Sequence, residues 1–197
     1  GGTLTVGGLH GTEEGWLKIV GDGSTVIDGG RNSMEAVYIY DCSYVIFENL
    51  TVRGGERYGI HVTGNSDNIR IVNCDISNWG RRGAFDSTKG LYFSDGDSVD
   101  YDAGVRVVDV SNVVIERCYF HDSNATTNAW YGPTWDTVHP LGATAVLCRS
   151  RTGLVIRYND FIGGDDCRWN DAVEAIYNGD RKSGVGPDSD IYGNMLI

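Results

Sequence analysis

A chain of 197 residues with 27 acidic and 16 basic side chains carries a net charge of −11. That balance argues against a general binder of nucleic acid or of anionic membranes. No run of 18 apolar residues occurs, so no membrane span is predicted.

Short apolar runs separated by turns begin at the N-terminus. We expect an entry strand in Gly1–His10, followed by coils of a repeating structure in Glu13–Gly30, Met34–Arg53 and Tyr58–Asn78. The chain has 28 glycines and only 3 prolines, which favours many turns. No amphipathic helix is evident.

One pattern of about nine residues occurs five times along the chain. Its copies are Tyr44–Val52, Asn68–Ile76, Asn112–Phe120, Gly153–Phe161 and the shorter Ser189–Leu196. The alignment places Phe47, Ile71, Ile115, Ile156 and Ile191 in one apolar column. Strands this short cannot bury a core alone, so the copies are predicted to stack as a solenoid.

A second apolar run precedes each copy. These runs are Val37–Tyr40, Ile60–Thr63, Val105–Val108, Ala145–Cys148 and Ala175–Asn178. Side chains alternate along a strand, so one set is predicted to face the core: Val37, Ile39, Ile60, Val62, Val105, Val107, Ala145, Leu147, Ala175 and Tyr177. The set predicted to face outward includes Tyr38, Tyr40, His61, Thr63, Arg106, Val108, Val146, Cys148, Glu174, Ile176 and Asn178.

Three insertions separate the repeats, at Trp79–Asp102, His121–Gly142 and Ile162–Val173. Each follows the end of one copy and precedes the next apolar run. They should therefore rise along one edge of the first-strand sheet and wall a groove over its outer face. Long loops on a rigid scaffold commonly carry function.

The repeats resemble the right-handed parallel β-helix of the pectate-lyase-like family, and GDGSTVIDGG at Gly21–Gly30 resembles an early coil of such proteins. The resemblance implies an all-β solenoid of about five to six coils with three strands each. It also implies one domain over residues 1–197. In that family the turn after the second strand often stacks Asn on Asn, which Asn159 and Asn194 would do here.

Two features of the solenoid lead to further expectations. A bare end exposes core and strand edges, so the chain is expected to be part of a longer polypeptide, with further coils or a second chain covering the C-terminal end at Ile197. Cys74 and Cys118 should lie one above the other in the turn column. We expect thiols there rather than a disulfide.

The loop GGDDCRWNDAVEA supplies the richest set of carboxylates, namely Asp165, Asp166, Asp171 and Glu174. Neighbouring carboxylates raise one another's pKa, so one can act as a general acid while another activates water. The GDDC string resembles a motif of polygalacturonase-type hydrolases. Asp165 and Asp166 are also candidate calcium ligands, although no cofactor is predicted to be required.

Basic and aromatic residues form the rest of the predicted site. His121 is a candidate acid or base, and Arg106 a candidate base or a clamp for a carboxylate. An ion pair from Arg106 to Asp100 or Asp102 is the favoured structural alternative, and Arg81, Arg82 and Lys89 are expected to form a solvated loop face. Sugar binding is assigned to Tyr38, His61, Trp130, Trp135 and His139.

Three functions remain open. The favoured hypothesis is an extracellular enzyme, secreted or on the cell surface, that hydrolyses a polysaccharide in the groove, with Glu174 as a main catalytic candidate. The second is a polysaccharide lyase or uronate epimerase that uses Arg106 or a histidine with calcium. The third is a surface β-helix that binds glycan without cleaving it.

Overall fold

The computed structural model describes residues 1–89, 91–99, 101–124, 144–149, 152–163, 173–175 and 189–197. Short strands dominate these residues, which contain no α-helix and therefore none that could cross a membrane. Most strands follow one another in threes. Each group of three makes one coil, as expected from the repeats.

The first three coils occupy the N-terminal part of the chain. They consist of β1 (Leu4–Gly7), β2 (Leu17–Val20) and β3 (Val26–Gly30); β4 (Glu35–Tyr40), β5 (Ser43–Glu48) and β6 (Thr51–Gly54); and β7 (Tyr58–Thr63), β8 (Asp67–Val72) and β9 (Asp75–Ser77).

An insertion with three strands of its own follows, β10 (Ala84–Asp86), β11 (Leu91–Ser94) and β12 (Asp97–Ser98). The coils then resume with β13 (Ala103–Val108), β14 (Ser111–Glu116) and β15 (Tyr119–His121), and with β16 (Thr144–Arg149), β17 (Thr152–Arg157) and β18 (Asp160–Phe161). The last described strands are β19 (Val173–Ala175), β20 (Ser189–Tyr192) and β21 (Met195–Leu196).

Equivalent strands of successive coils pair in parallel and form three six-stranded sheets. The first-strand sheet has the order β1-β4-β7-β13-β16-β19, and the second-strand sheet β2-β5-β8-β14-β17-β20. The third-strand sheet runs β3-β6-β9-β15-β18-β21. This is a parallel β-helix, so the fold class predicted from the repeats is confirmed.

The core is built from columns of apolar side chains that point inward. Phe47, Ile71, Ile115, Ile156 and Ile191 are register partners from coil to coil. The first four are at most 1% exposed, whereas Ile191 is 49% exposed. The prediction of one buried stack is therefore correct for four members and wrong for Ile191, because no strand in the described part of the chain covers that side of β20.

The turn after each second strand depends on left-handed backbone. Asn49, Asn73, Arg117 and Tyr158 have φ of 50° to 57° there. The residue that follows faces inward, and in the later coils it is asparagine: the Asn159 side chain donates to the Ile115 carbonyl (3.0 Å) and accepts from the Cys118 amide (2.8 Å). Asn194 repeats the first contact with the Ile156 carbonyl. The asparagine ladder is confirmed.

Cysteines fill the same column in the earlier coils. Cys74 and Cys118 are buried free thiols that point at backbone carbonyls, and Cys42 and Cys148 are also free and buried. The expectation of thiols rather than a disulfide is confirmed for Cys74 and Cys118. Cys167 lies outside the described residues.

The first insertion contains a small antiparallel sheet, β10-β11-β12, which the sequence analysis did not predict. A buried ion pair fastens it to the solenoid: Arg81 contacts Asp102 through Nε and Nη2 at 3.0 and 2.9 Å, and donates to the carbonyls of Ser94 and Ser98. The expectation that Arg81 is solvated is therefore wrong. Arg82 and Lys89 are exposed.

Strand β16 is shifted by one residue from the predicted register. Val146 pairs with Val105, and Cys148 with Val107, so these two occupy the inward column, while Leu147 lies beside Arg106 in the outward column. The prediction that Leu147 faces the core is therefore wrong, as is the prediction that Val146 and Cys148 face outward, whereas Ala145 is buried in the core as predicted. Residues 145–148 are all apolar and all buried, so alternation of polarity could not fix the register.

Candidate functional site

One outward column crosses the first-strand sheet from coil to coil. Its register partners are Thr5, Tyr38, His61, Arg106, Leu147 and Glu174. As predicted, His61 and Arg106 are neighbours on adjacent strands, which places an imidazole and a guanidinium about 5 Å apart at the backbone. This column is the base of the candidate site.

A second column, at the start of the same strands, adds Glu35 and Tyr58. The two are register partners, and Ala103 and Thr144 continue their column. Tyr58 is two residues before the inward-facing Ile60, yet its ring contacts His61 and Arg106. The intervening Gly59 leaves no room for a side chain, since a Cβ there would lie 2.6 Å from the Gly104 carbonyl oxygen. Strand alternation is broken at this point.

Glu35, Tyr58, His61 and Arg106 form the site cluster. Arg106 Nη1 donates to the Tyr58 hydroxyl, and the guanidinium lies 4.7 Å from the centre of the Tyr58 ring. The Tyr58 and His61 rings are 4.9 Å apart. Glu35 Oε1 is 4.0 Å from His61 Nδ1, which is beyond hydrogen-bond distance. Four different functional groups therefore meet above the three neighbouring strands β4, β7 and β13.

Several polar atoms of this cluster are buried and unpartnered within the described part of the protein. They are Glu35 Oε2, His61 Nδ1 and Arg106 Nε, and Thr144 Oγ1 in the adjoining column is a fourth. Native proteins seldom leave buried polar atoms unsatisfied, and such atoms need an explanation. A bound ligand with its own donors and acceptors would satisfy them.

The environment sets the charge states in the cluster. Burial, followed by the positive charge of Arg106, lowers the pKa of His61 to about 4. Burial raises the pKa of Glu35, against the attraction of Arg106. The imidazole is therefore neutral at pH 7 and able to accept a proton.

A row of aromatic rings extends from His61 to the neighbouring strand β4 and then along that strand. Tyr38 and His61 rings are 5.4 Å apart, and Tyr38 stacks on Tyr40 at 5.4 Å. Tyr40 is exposed. Flat apolar faces beside hydroxyl and imidazole groups suit the faces of sugar rings, so the predicted positions of Tyr38 and His61 on an outward surface agree with the structure.

Arg106 forms no ion pair with Asp102, because Asp102 is bound to Arg81. The alternative predicted for Arg106 is wrong in that respect, and Asp100 lies outside the described residues. The cation instead faces the Tyr58 ring. This leaves Arg106 available to a ligand.

His121 lies on the third-strand sheet, away from the first-strand column. Its Nε2 is 2.8 Å from Asp75 Oδ1 and its Nδ1 is 2.7 Å from Asp122 Oδ2, and its ring stacks on Tyr119 at 4.5 Å. Burial lowers the pKa of His121, but the hydrogen bonds to Asp122 and Asp75 outweigh it and the net shift is upward. These contacts make His121 a bridge between two coils and favour its protonated form.

The other predicted residues are only partly placed. Glu174 pairs with Leu147 in the outward column, two strands from Arg106. Asp165, Asp166 and Asp171 lie outside the described residues, as do Trp130, Trp135 and His139. Among the residues that the structure does describe, no group of three or more His, Cys, Asp or Glu could hold a metal ion.

Sequence reasoning missed Glu35 and Tyr58, and it predicted Thr144 only as an outward-facing residue of its strand. Alternation assigns Tyr58 to the core, and nothing in the sequence marks Glu35 apart from other carboxylates. The available signal was the glycine pair Gly59 and Gly104, which repeats in the column next to Tyr58. A glycine column within a first strand indicates a close backbone approach and a local break in alternation.

Comparison with a family model agrees with this architecture. A family model described as "Right handed beta helix region" matches residues 18–180. An alginate lyase from Paenibacillus sp. str. FPU-7 is 14% identical, with a TM-score of 0.43 over 99% of this chain and 84% of the lyase. The pectate lyase Pel9A is also 14% identical, with a TM-score of 0.36 over 99% of this chain and 63% of that one. No curated protein matches the sequence significantly.

Proposed function

The chain belongs to the right-handed β-helix family, and from that premise we propose that it cleaves an acidic polysaccharide by β-elimination at the site cluster. One observation carries the proposal. Glu35, His61 and Arg106 hold buried, unpartnered polar atoms on the outer face of the first-strand sheet, beside the Tyr58 phenol. The aromatic row from Tyr38 to Tyr40 supports a long sugar ligand.

Arg106 supplies the positive charge that this reaction needs. A uronate carboxylate bound by the guanidinium makes the adjacent C5 proton more acidic, because the charge that develops on the carboxylate is stabilised. Arg106 uses Nη1 for Tyr58, and its Nε donor is unpartnered. The described carboxylates leave it free of an ion pair, so a substrate carboxylate would meet an uncompensated cation.

His61 and Tyr58 fit the two proton transfers. The neutral imidazole takes the C5 proton, the C–H electron pair forms the C4–C5 double bond, and the C4–O glycosidic bond breaks with its electrons going to oxygen. The Tyr58 hydroxyl accepts from Arg106 and keeps its own proton to donate to the leaving oxygen. Proton exchange with water then restores both groups.

Hydrolysis is the second candidate, and Glu35 favours it. A buried carboxyl group with a raised pKa is what a general acid of glycoside hydrolysis requires. Glu174 shares the outward column, and the carboxylates at Asp165, Asp166 and Asp171 remain candidates for the partner. The geometry favours elimination, because the site cluster contains the cation, imidazole and phenol that elimination needs but only one of the two carboxyl groups that hydrolysis needs.

Digestion of a polysaccharide panel tests the proposal. Pectate, alginate and a neutral glucan are incubated with the protein, and products are followed by ultraviolet absorbance and by new reducing ends. We expect an acidic polymer to give absorbing, unsaturated ends, and Arg106→Gln and His61→Gln to lower the rate by about a hundredfold or more. Arg70→Gln, an exposed arginine on the second-strand sheet, is the charge-matched control.

The other outcomes separate the alternatives. Reducing ends without absorbance mean hydrolysis, in which case Glu35→Gln and Glu174→Gln become the decisive variants. No cleavage of any acidic polymer overturns the enzymatic proposal and leaves glycan binding. A calcium role for Asp165 and Asp166 stays a prediction, tested by repeating the digestion with EDTA, and a secreted or cell-surface location also stays a prediction.

A further inference from the structure

A polar depression lies near the site cluster, at the ends of the third strands. It has a volume of about 290 Å³ and is lined by Asp28, Gly30, Arg31, Arg53, Gly54, Asn78 and Asn124. This size is at the lower end of small-molecule pockets and suits one sugar unit or a smaller anionic group. Two guanidinium groups in one depression stand out on a chain of net charge −11.

The two arginines differ in how their charge is balanced. Arg53 forms a close ion pair with Asp28, with Nε and Nη2 each 2.9 Å from Oδ2. Arg31 instead donates to the backbone carbonyls of Gly80 (2.7 Å) and Asn78 (3.3 Å), and no carboxylate in the described part of the chain lies within ion-pair distance of it. The carbonyls fix the guanidinium in place without neutralising it.

Donors remain available in this depression. An arginine has five N–H groups, and the contacts above occupy two on Arg31 and two on Arg53. The unused N–H groups belong to Arg31, which no described carboxylate neutralises, and to Arg53, which is paired with Asp28. Planar guanidinium groups bind carboxylates and similar oxyanions through paired hydrogen bonds.

The chain connects this depression directly to the site cluster. Gly54 lines the depression and Tyr58 begins the next first strand, four residues later, so their Cα atoms are at most about 14 Å apart. Likewise, Arg31 precedes Glu35 by four residues. The two places are separated only by the turns between third and first strands. An oligosaccharide bound at the cluster can therefore extend over these turns into the depression.

We propose that this depression, centred on Arg31, is a subsite for the anionic group of an acidic oligosaccharide, a carboxylate or a sulfate ester. The proposal rests on the proposed function for the identity of the oligosaccharide. Arg31 binds the oxyanion through its unused N–H groups, and Arg53, which Asp28 holds in place, adds further N–H donors. The subsite selects charged over neutral sugar units and positions the chain for the cluster.

Calorimetric binding tests the subsite separately from catalysis. The probes are trisaccharides of galacturonate, mannuronate and glucuronate, their carboxyl-reduced neutral counterparts, a sulfated neutral trisaccharide, and sodium sulfate. All titrations use the His61→Gln protein, so that cleavage of a probe during the titration is slow. We expect at least one charged trisaccharide to bind at least tenfold more tightly than its neutral counterpart, and Arg31→Gln to remove that difference.

Controls distinguish lost recognition from lost folding. Arg70→Gln makes the same change in net charge at an exposed site and should leave the tenfold preference unchanged. Arg31→Lys keeps the charge and should retain part of the preference, and unfolding midpoints show whether each variant is folded. Preference for a uronide identifies the carboxylate as the ligand, and preference for the sulfated sugar identifies the ester.

Two results would overturn the subsite. One is an equal preference for charged sugar in folded Arg31→Gln and in its parent, and the other is the absence of any charge preference in the parent. The first leaves the elimination proposal standing if the polysaccharide panel is still cleaved. Conversely, a charge preference that depends on Arg31, in a protein that cleaves nothing, would support the subsite and reject the enzymatic function.

Discussion

Arg106 and His61 are register partners on adjacent first strands, and burial, followed by the positive charge of Arg106, lowers the pKa of His61 and keeps its imidazole neutral. Neither residue has a carboxylate within hydrogen-bond distance among the described residues, since Glu35 Oε1 is 4.0 Å from the imidazole. A parallel solenoid imposes such proximity, because each outward column repeats at one strand spacing. Whatever occupies one position of a column lies against the next.

The apolar column offers a test of the fold with a built-in control. Ile115→Ala should lower the free energy of unfolding by about 2–5 kcal/mol, because the buried side chain lies between neighbours in the coils above and below. Ile191→Ala removes the same atoms from an exposed position of the same column and should cost far less. Urea unfolding of both variants measures the difference, and equal costs would contradict the assignment.

The buried ion pair between Arg81 and Asp102 should contribute more to the free energy of unfolding than an exposed ion pair does. Asp102→Asn leaves Arg81 charged and enclosed, with both side chains under 5% exposed, so we expect a loss of about 3–5 kcal/mol. Asp97→Asn removes the exposed partner of Arg57 and serves as the control. Thermal unfolding compares the two, and a smaller shift for Asp102→Asn than for Asp97→Asn would show that the pair does not anchor the insertion.

Much of the fold was predictable from the sequence because every coil of a solenoid repeats the same sequence pattern. Each copy carries an inward apolar pair and a turn position, so an error in one copy is corrected by the others. The register of β16 could not be predicted, since Ala145 to Cys148 are uniformly apolar and buried. The antiparallel sheet β10-β11-β12 was also missed, because an insertion has no second copy with which to align.

The candidate site was predictable only where strand alternation holds. His61 and Arg106 face outward on the alternating parts of β7 and β13, and the sequence identified both. Tyr58 was not identified, because Gly59 breaks the alternation and turns an apparent core residue toward Arg106. Glu35 joins the site through contacts with residues of other coils, and the sequence pattern of a single coil does not predict such contacts.

His61 should make the protein less stable in mild acid. Its pKa is about 4 in the folded protein and about 6.5 in an unfolded chain. Between these values the unfolded chain binds a proton that the folded protein does not, so the free energy of unfolding falls as the pH falls, by at most about 3 kcal/mol. Urea unfolding at pH 7 and pH 4.5 should show a shallower pH dependence for His61→Gln, whereas the exposed His10→Gln should match the wild type.

His121 should act with the opposite sign. Its folded pKa is raised by Asp122 and Asp75 despite burial, so its stabilising contribution is complete below the unfolded value of about 6.5 and is lost as the pH rises through the folded value. We expect His121→Asn to be destabilised relative to wild type at pH 6 and the difference to shrink by pH 9. A difference that grows with pH would contradict the stabilisation of protonated His121 by Asp75 and Asp122.

The Tyr58 hydroxyl gives the sharpest test of the proposed proton transfers. Tyr58→Phe keeps the ring against His61 and under Arg106 and removes only the group that would protonate the leaving oxygen. On the acidic polymer that the wild type cleaves, we expect kcat to fall by about 10²–10⁴ while KM changes little, because sugar binding is assigned to other rings.

Tyr44→Phe, in which the altered ring packs edge-on against Trp16, controls for the loss of a phenol and should keep wild-type kcat. Unfolding midpoints within a few degrees of wild type would show that both variants are folded. If folded Tyr58→Phe turns over at the wild-type rate, the leaving oxygen receives its proton elsewhere, and Glu35, the remaining protonatable group of the cluster, becomes the acid to test by Glu35→Gln.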